Sequence, residues 1–315
     1  LGSSGDVEGF QEALATPYAR LLREPLARVA KLKVPKSVPR IVIIPDRSMH
    51  GLPFAALRNG NRYVVEDHRV SVAASATLYA FSLAKDRQRA GTPAVSMLLV
   101  TDPAIAPGLA IAGGLPQLDW AHAEARQIEE LYRGALSIDT LTGSQATSVE
   151  FLRLARTSSI IHVAAHGIAN PDIPSRSLLL FAPVGRDTGA VDAERLLKEL
   201  RLENARLAVL AACSSAGGTP VGPEGLAPLV RPLLVAGVPG VLGTLWNVHD
   251  SSETAKLLVL FHRNYRNGKD ADDALRLAQL EMLGDRDLAQ SSAVAWAPFQ
   301  VTGYASSPFE SDNRR

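Results

Sequence analysis

Apolar residues recur at helical spacing through Phe10, Leu14, Tyr18, Leu21, Leu22, Leu26, Val29 and Leu32, which predicts one or two amphipathic helices over residues 6–33. Pro35 and Pro39 end that pattern. Short runs of branched apolar residues then predict buried strands at 40–45, 63–65, 70–72 and 95–100, with a helix over 75–89. The Pro- and Gly-rich stretch 102–117 reads as a loop, and 118–132 as a helix with Glu124, Glu129 and Glu130 facing out. A second series opens near Thr147, which offers an N-cap to a helix ending at Arg156. Strands follow at 159–165, 178–181, 208–212 and 240–245, and helices at 193–198, 226–236, 252–265 and 270–283. Strands alternating with helices predict an α/β fold with a largely parallel sheet, repeated in two similar halves.

With 315 residues, 46% of them hydrophobic and 21% charged, the chain is long and apolar enough to bury a large core, which excludes a disordered protein. The expected division is a helical segment with linker over 1–37, one half over 38–145, a second over 146–305, and a polar tail over 306–315. Leu1 at the start, followed by Gly2-Ser3-Ser4-Gly5, reads as the linker of a fragment, and no signal peptide is legible. The most apolar window, Leu226 to Trp246, contains Arg231, Pro228, Pro232 and Pro239, so it reads as a helix followed by a buried strand rather than a membrane span. A net charge of +1 leaves no basic footprint for nucleic acid, and the basic run from Arg20 to Lys36 reads as the solvated face of a helix. A single cysteine excludes an intramolecular disulfide and a Cys-rich zinc site. These points suit a cytoplasmic protein with no membrane contact.

Candidate chemistry sits where two apolar strands end, the edge at which open α/β sheets place their sites. His166 closes one strand and precedes Gly167, whose missing side chain lets a substrate approach its N–H. Cys213 closes another and opens into Ser214-Ser215-Ala216-Gly217-Gly218. Taken singly, a strand-end Cys is most simply a packed thiol and a strand-end His a satisfied structural one. If the two strands are neighbours, His166 can raise the thiolate fraction of Cys213 and return a proton to a leaving amine. The N–H groups of Gly167 and Cys213 would then receive the oxyanion. His162, four residues before His166, makes a His-x-x-x-His pair on a strand without the following Glu of a zinc peptidase, and reads as a structural histidine beneath the site. No phosphate-binding glycine fingerprint is present, so no nucleotide cofactor is expected.

The runs IIHVAAHG (160–167), LAACSSAGG (210–218) and VAGVPGVLGTLWNVHDSSETAKLL (235–258) resemble the CHAT domains, bacterial relatives of caspases and separases. A caspase-type His lies about 50 residues before its Cys, against 47 here. The segment 41–79, with its Leu-Pro-Phe-Ala-Ala-Leu core and Ala74-Ser75-Ala76-Thr77, is also similar, as are Leu141-Thr142-Gly143 with Ala146-Thr147 and Trp296-Ala297-Pro298-Phe299. The resemblance covers roughly 38–303. It implies a caspase-like three-layer sandwich whose first half lacks catalytic residues, with His166 as general base and acid, Cys213 as nucleophile and Gly167 as oxyanion donor. It also implies substrate-binding roles for Trp246 and Asp250. Asp250 lies where separases have an acidic residue near the P1 pocket, which would suit a basic P1 side chain, although Asn247 stands where separases have a second Asp. The plain alternative for Asp250 is an N-cap of the helix beginning near Ser252.

The family also implies an endopeptidase cutting a specific protein in bacterial defence or programmed death, controlled by an activating partner or a fused sensor or repeat domain. On that view the loop 214–222 beside Cys213 orders when the partner binds, and Glu224 starts the next helix. The reading from another class is a catalytically silent docking module in a signalling complex.

Overall fold

The computed structural model describes residues 7–31, 38–106, 115–170, 172–211, 227–284 and 293–309. Its strands are β1 (Arg40–Ile43), β2 (Arg58–Asn59), β3 (Arg62–Tyr63), β4 (Arg69–Val72), β5 (Ser96–Pro103), β6 (Ser137–Gly143), β7 (Ile160–Ala164), β8 (Gly167–Ile168), β9 (Leu178–Leu180), β10 (Ala190–Asp192), β11 (Leu207–Leu210), β12 (Gly240–Thr244) and β13 (Phe299–Gly303). Its helices are α1 (Val7–Leu21), α2 (Arg23–Val29), α3 (Val64–Asp67), α4 (Ala76–Gln88), α5 (Asp119–Tyr132), α6 (Ser148–Ala155), α7 (Ala193–Glu199), α8 (Ala227–Val235), α9 (Ser252–Arg266) and α10 (Ala271–Gly284).

One eight-stranded sheet runs in the order β1-β4-β13-β12-β11-β7-β5-β6, and every pairing is parallel except β12 with β13. The fold is α/β with a mostly parallel sheet, as the alternation of elements predicts. Its central strands carry apolar side chains on both faces, the pattern of a sheet covered twice. On β7, Ile160 and Ala164 enter one core, while Ile161, Val163 and the following Ala165 enter the other. The first core packs beneath α1, α5, α9 and α10, and the second beneath α6, α7 and α8. Three layers result.

Several helix starts follow from their caps. Ser75 accepts from the N–H of Leu78, Thr147 from that of Glu150, and Asp192 from that of Arg195. The window from Leu226 to Trp246 contains α8 and then β12, and among the described residues no helix is long and apolar enough to cross a membrane.

Two expectations fail. Residues 63–65 are not a strand: Tyr63 ends β3 and Val64 starts α3, because the Glu66 carboxylate accepts the Tyr63 N–H at 2.6 Å and closes a helical turn. Glu124 does not face out but is 3% exposed. It shares a face of α5 with the buried Ala121, Ala125, Ile128 and Tyr132, so helical spacing outweighs its polarity.

Candidate active site

Among the described residues, side chains capable of chemistry gather where β5, β7 and β12 end, on the carboxyl edge of the parallel strands. His166 lies two residues past β7 and is 1% exposed. Its Nε2 lies 2.8 Å from the carbonyl oxygen of Pro116. A carbonyl only accepts, so Nε2 carries the proton and, in the neutral ring, Nδ1 is the basic nitrogen.

Gly167 follows in β8, paired with Leu179 of β9. The Leu180 N–H donates to the His166 carbonyl at 2.9 Å, which makes Gly167 and Leu179 a non-hydrogen-bonded pair. The Gly167 N–H therefore points away from β9.

Strand β11 lies beside β7 in a parallel register that pairs Leu207 with Ile160 and Leu210 with Val163, an offset of 47 residues. Past the strand, the Ala211 N–H donates to the Val163 carbonyl at 2.9 Å. Cys213, the loop 214–222 and Glu224 lie outside the described residues.

Trp246 and Asp250 follow β12. Trp246 is half-buried against the first core. Asp250 does not cap the helix after it, because Ser251 does that by accepting from the Thr254 N–H. Its carboxylate instead accepts the N–H groups of Trp120 (2.8 Å) and Ala121 (3.0 Å), the first turn of α5, where the helix dipole favours an anion. Burial pushes the Asp250 carboxyl up; the two amides pull it down, and nearby Asp119 and Asp102 push it up again.

Asp102 is a contributor that the sequence reading passed over by assigning 102–117 to a loop. Its φ of +43° is the left-handed region, which Asp tolerates better than most residues. It accepts from the Leu118 N–H at 3.1 Å and from His122 Nε2 at 3.2 Å. Its signal was available, since it sits near the carboxyl end of an apolar strand as His166 does. Pro116 had no such signal, because it acts through a main-chain oxygen. Residues 116–121 thus form a strap over the sheet edge, bonded in turn to His166, Asp102 and Asp250.

His162 is buried on the first-core side, as a structural histidine would be, and its Nε2 lies 2.7 Å from Glu124 Oε1. Its Nδ1 is 3.1 Å from His262 Nε2, and His262 Nδ1 is 3.1 Å from the Tyr132 hydroxyl. Among the described residues, no three His, Cys, Asp or Glu side chains are grouped to hold a metal ion.

The family model of the CHAT domain matches residues 11–304. No match is found among curated proteins. Among solved structures, the Arg-specific cysteine proteinase gingipain R is similar with a TM-score of 0.59 and 10% identity, over 94% of this chain and 70% of that one. A complex of the Porphyromonas gingivalis RgpB pro- and mature domains gives 0.55 and 11%, over 95% and 72%. The Saccharomyces cerevisiae separase–securin complex gives 0.49 and 14%, over 83% and 15%. At such identities the likeness to gingipain is one of fold, the caspase-like α/β sandwich.

Proposed function

As the chain belongs to the CHAT domain family, we propose that it is a cysteine endopeptidase with Cys213 as nucleophile and His166 as general base and acid. The observation that carries this reading is the register of β11 on β7. Its offset of 47 residues equals the separation of His166 and Cys213, so the strands that lead to the two residues run side by side and in step as far as Ala211.

The chemistry then follows from the tautomer. The Pro116 carbonyl keeps the proton on Nε2, and Nδ1 takes the thiol proton. The thiolate attacks the scissile carbonyl carbon, and the developing oxyanion is received by the Gly167 N–H, with that of Cys213 as the second donor. Collapse breaks the C–N bond while Nδ1–H protonates the leaving amine. Water, deprotonated by the same nitrogen, then releases the acyl group and restores the thiol.

The preferred P1 side chain in this reading is basic. Asp250 supports it, with Asp102 and Asp119 close enough to act on its carboxyl, and gingipain R, similar in fold, is described as Arg-specific. Trp246 is assigned to the wall of the same subsite. The biological part of the reading, a bacterial effector that cuts one protein in defence or programmed death once a partner or fused domain activates it, rests on the family resemblance.

A peptide-library cleavage profile tests the whole. The wild type should cut after Lys or Arg, Cys213→Ala and His166→Ala should abolish cleavage, and Asp250→Ala should relax the P1 preference. A profile without Cys213-dependent cleavage contradicts the reading and leaves the docking module in its place.

A further inference from the structure

Helix α5 carries a carboxyl group on its buried face where an apolar side chain would pack at less cost. Glu124 is one end of a file of four buried polar side chains drawn from three elements: Glu124 and Tyr132 on α5, His162 on β7 and His262 on α9. None of the four takes part in the chemistry proposed above.

The proton positions follow from the partners. The Tyr132 hydroxyl donates to the His262 carbonyl at 3.4 Å, so its oxygen can accept from His262 Nδ1–H at 3.1 Å. The neutral His262 ring then offers Nε2 as acceptor to His162 Nδ1–H at 3.1 Å. His162 Nε2 is left to accept from the O–H of a protonated Glu124, whose Oε1 is 2.7 Å away but off the in-line direction of an ideal hydrogen bond. In that arrangement every group is neutral. Reversing the file leaves a net negative charge in the core, and moving one proton from Glu124 to His162 makes a buried ion pair, both costly away from water. Burial pushes the Glu124 carboxyl up and holds His262 well below its ordinary value, in keeping with the neutral file.

The file ties α5 to β7, and both elements lead into the candidate site. Pro116 lies eight residues before Glu124 on the strap that enters α5, and His166 lies four residues after His162. A slip of α5 along its axis would separate Glu124 from His162 and draw the Pro116 carbonyl off His166 Nε2.

We propose that Glu124 and His162 are positioning residues of the site: their buried contact sets the register of α5 on β7 and so keeps the Pro116 carbonyl on His166. The activity arm of the test rests on the peptidase reading; the spectroscopic arm does not. With histidine ¹⁵N labels, NMR reads the tautomer of His166, while cleavage kinetics are followed on the same samples and thermal unfolding confirms that each variant is folded. Glu124→Gln, whose amide can donate to His162 as a protonated carboxyl does, should keep both the His166 Nε2–H signature and kcat. Glu124→Leu should lose that signature and lower kcat by about 10²-fold at nearly unchanged KM. Should Glu124→Leu fail to fold, Glu124→Asp, one methylene too short, should show the same loss. A folded Leu or Asp variant with the wild-type His166 signature overturns the proposal, as does a Gln variant as damaged as Leu. If the wild type cuts nothing, the peptidase reading fails while the His166 signature still decides this one.

Discussion

The histidines of this chain are set apart by their neighbours rather than by their position in sequence. His166 faces a carbonyl that can only accept, which fixes its tautomer, whereas His262 faces a tyrosine and a second histidine inside the core. Burial holds His262 well below its ordinary value, so the fold refuses a proton that the unfolded chain takes up below about pH 6.5. The unfolded state then binds more protons and stability falls with falling pH, by at most about 1.4 kcal/mol per pH unit for this one group. Glu124 works in the opposite sense. Its raised carboxyl gives stability that is present at low pH and fades as pH rises above about 4.3 towards its folded value. The histidine effect is therefore read as a difference: urea unfolding at pH 7.5 and 5.5 should show a larger acid-induced loss in the wild type than in His262→Gln. Equal losses would contradict the assignment. A structural His162 was legible in the sequence, but its pairing with His262, 100 residues away, was not.

At the scale of elements, helix α5 is the part that connects the core to the candidate site. Asp250 holds its first turn from outside, and the strap before it reaches Asp102 and His166. Asp250→Ala leaves the Trp120 and Ala121 amides without their acceptor and should lower unfolding stability by about 1 kcal/mol, with Asp250→Ser recovering part of it. Unchanged thermal unfolding in the Ala variant would contradict this capping role. Apolar runs predicted the strands of the central sheet well, because buried parallel strands are apolar on both faces. They failed at 63–65, where a single carboxylate reaching back to a main-chain N–H turns two valines into the start of a helix. They also passed over β6 and β13, which are too polar or too interrupted to read as apolar runs: Asp139 and Thr140 break the first, Gln300 and Thr302 the second. For Glu124 the spacing held the right answer and the residue type pointed the other way.

For the whole molecule, one sheet brings the ends of four strands together from positions as far apart as Asp102 and Asp250. The sequence carried the end of the strand before His166, and a spacing to Cys213 that equals the offset of β11 on β7. It did not carry the order of strands, which depends on pairings between residues far apart along the chain, nor the strap that supplies the Pro116 carbonyl. Because the chain has a single cysteine, alkylation reports on that residue alone. The central claim, that His166 activates Cys213, is tested most directly by the pH dependence of Cys213 alkylation by iodoacetamide in the wild type and in His166→Ala. The wild-type rate should reach its plateau well below pH 8.5, while the variant should react slowly and keep rising up to about that pH, as an ordinary thiol does. Superimposable profiles for the two proteins would contradict it.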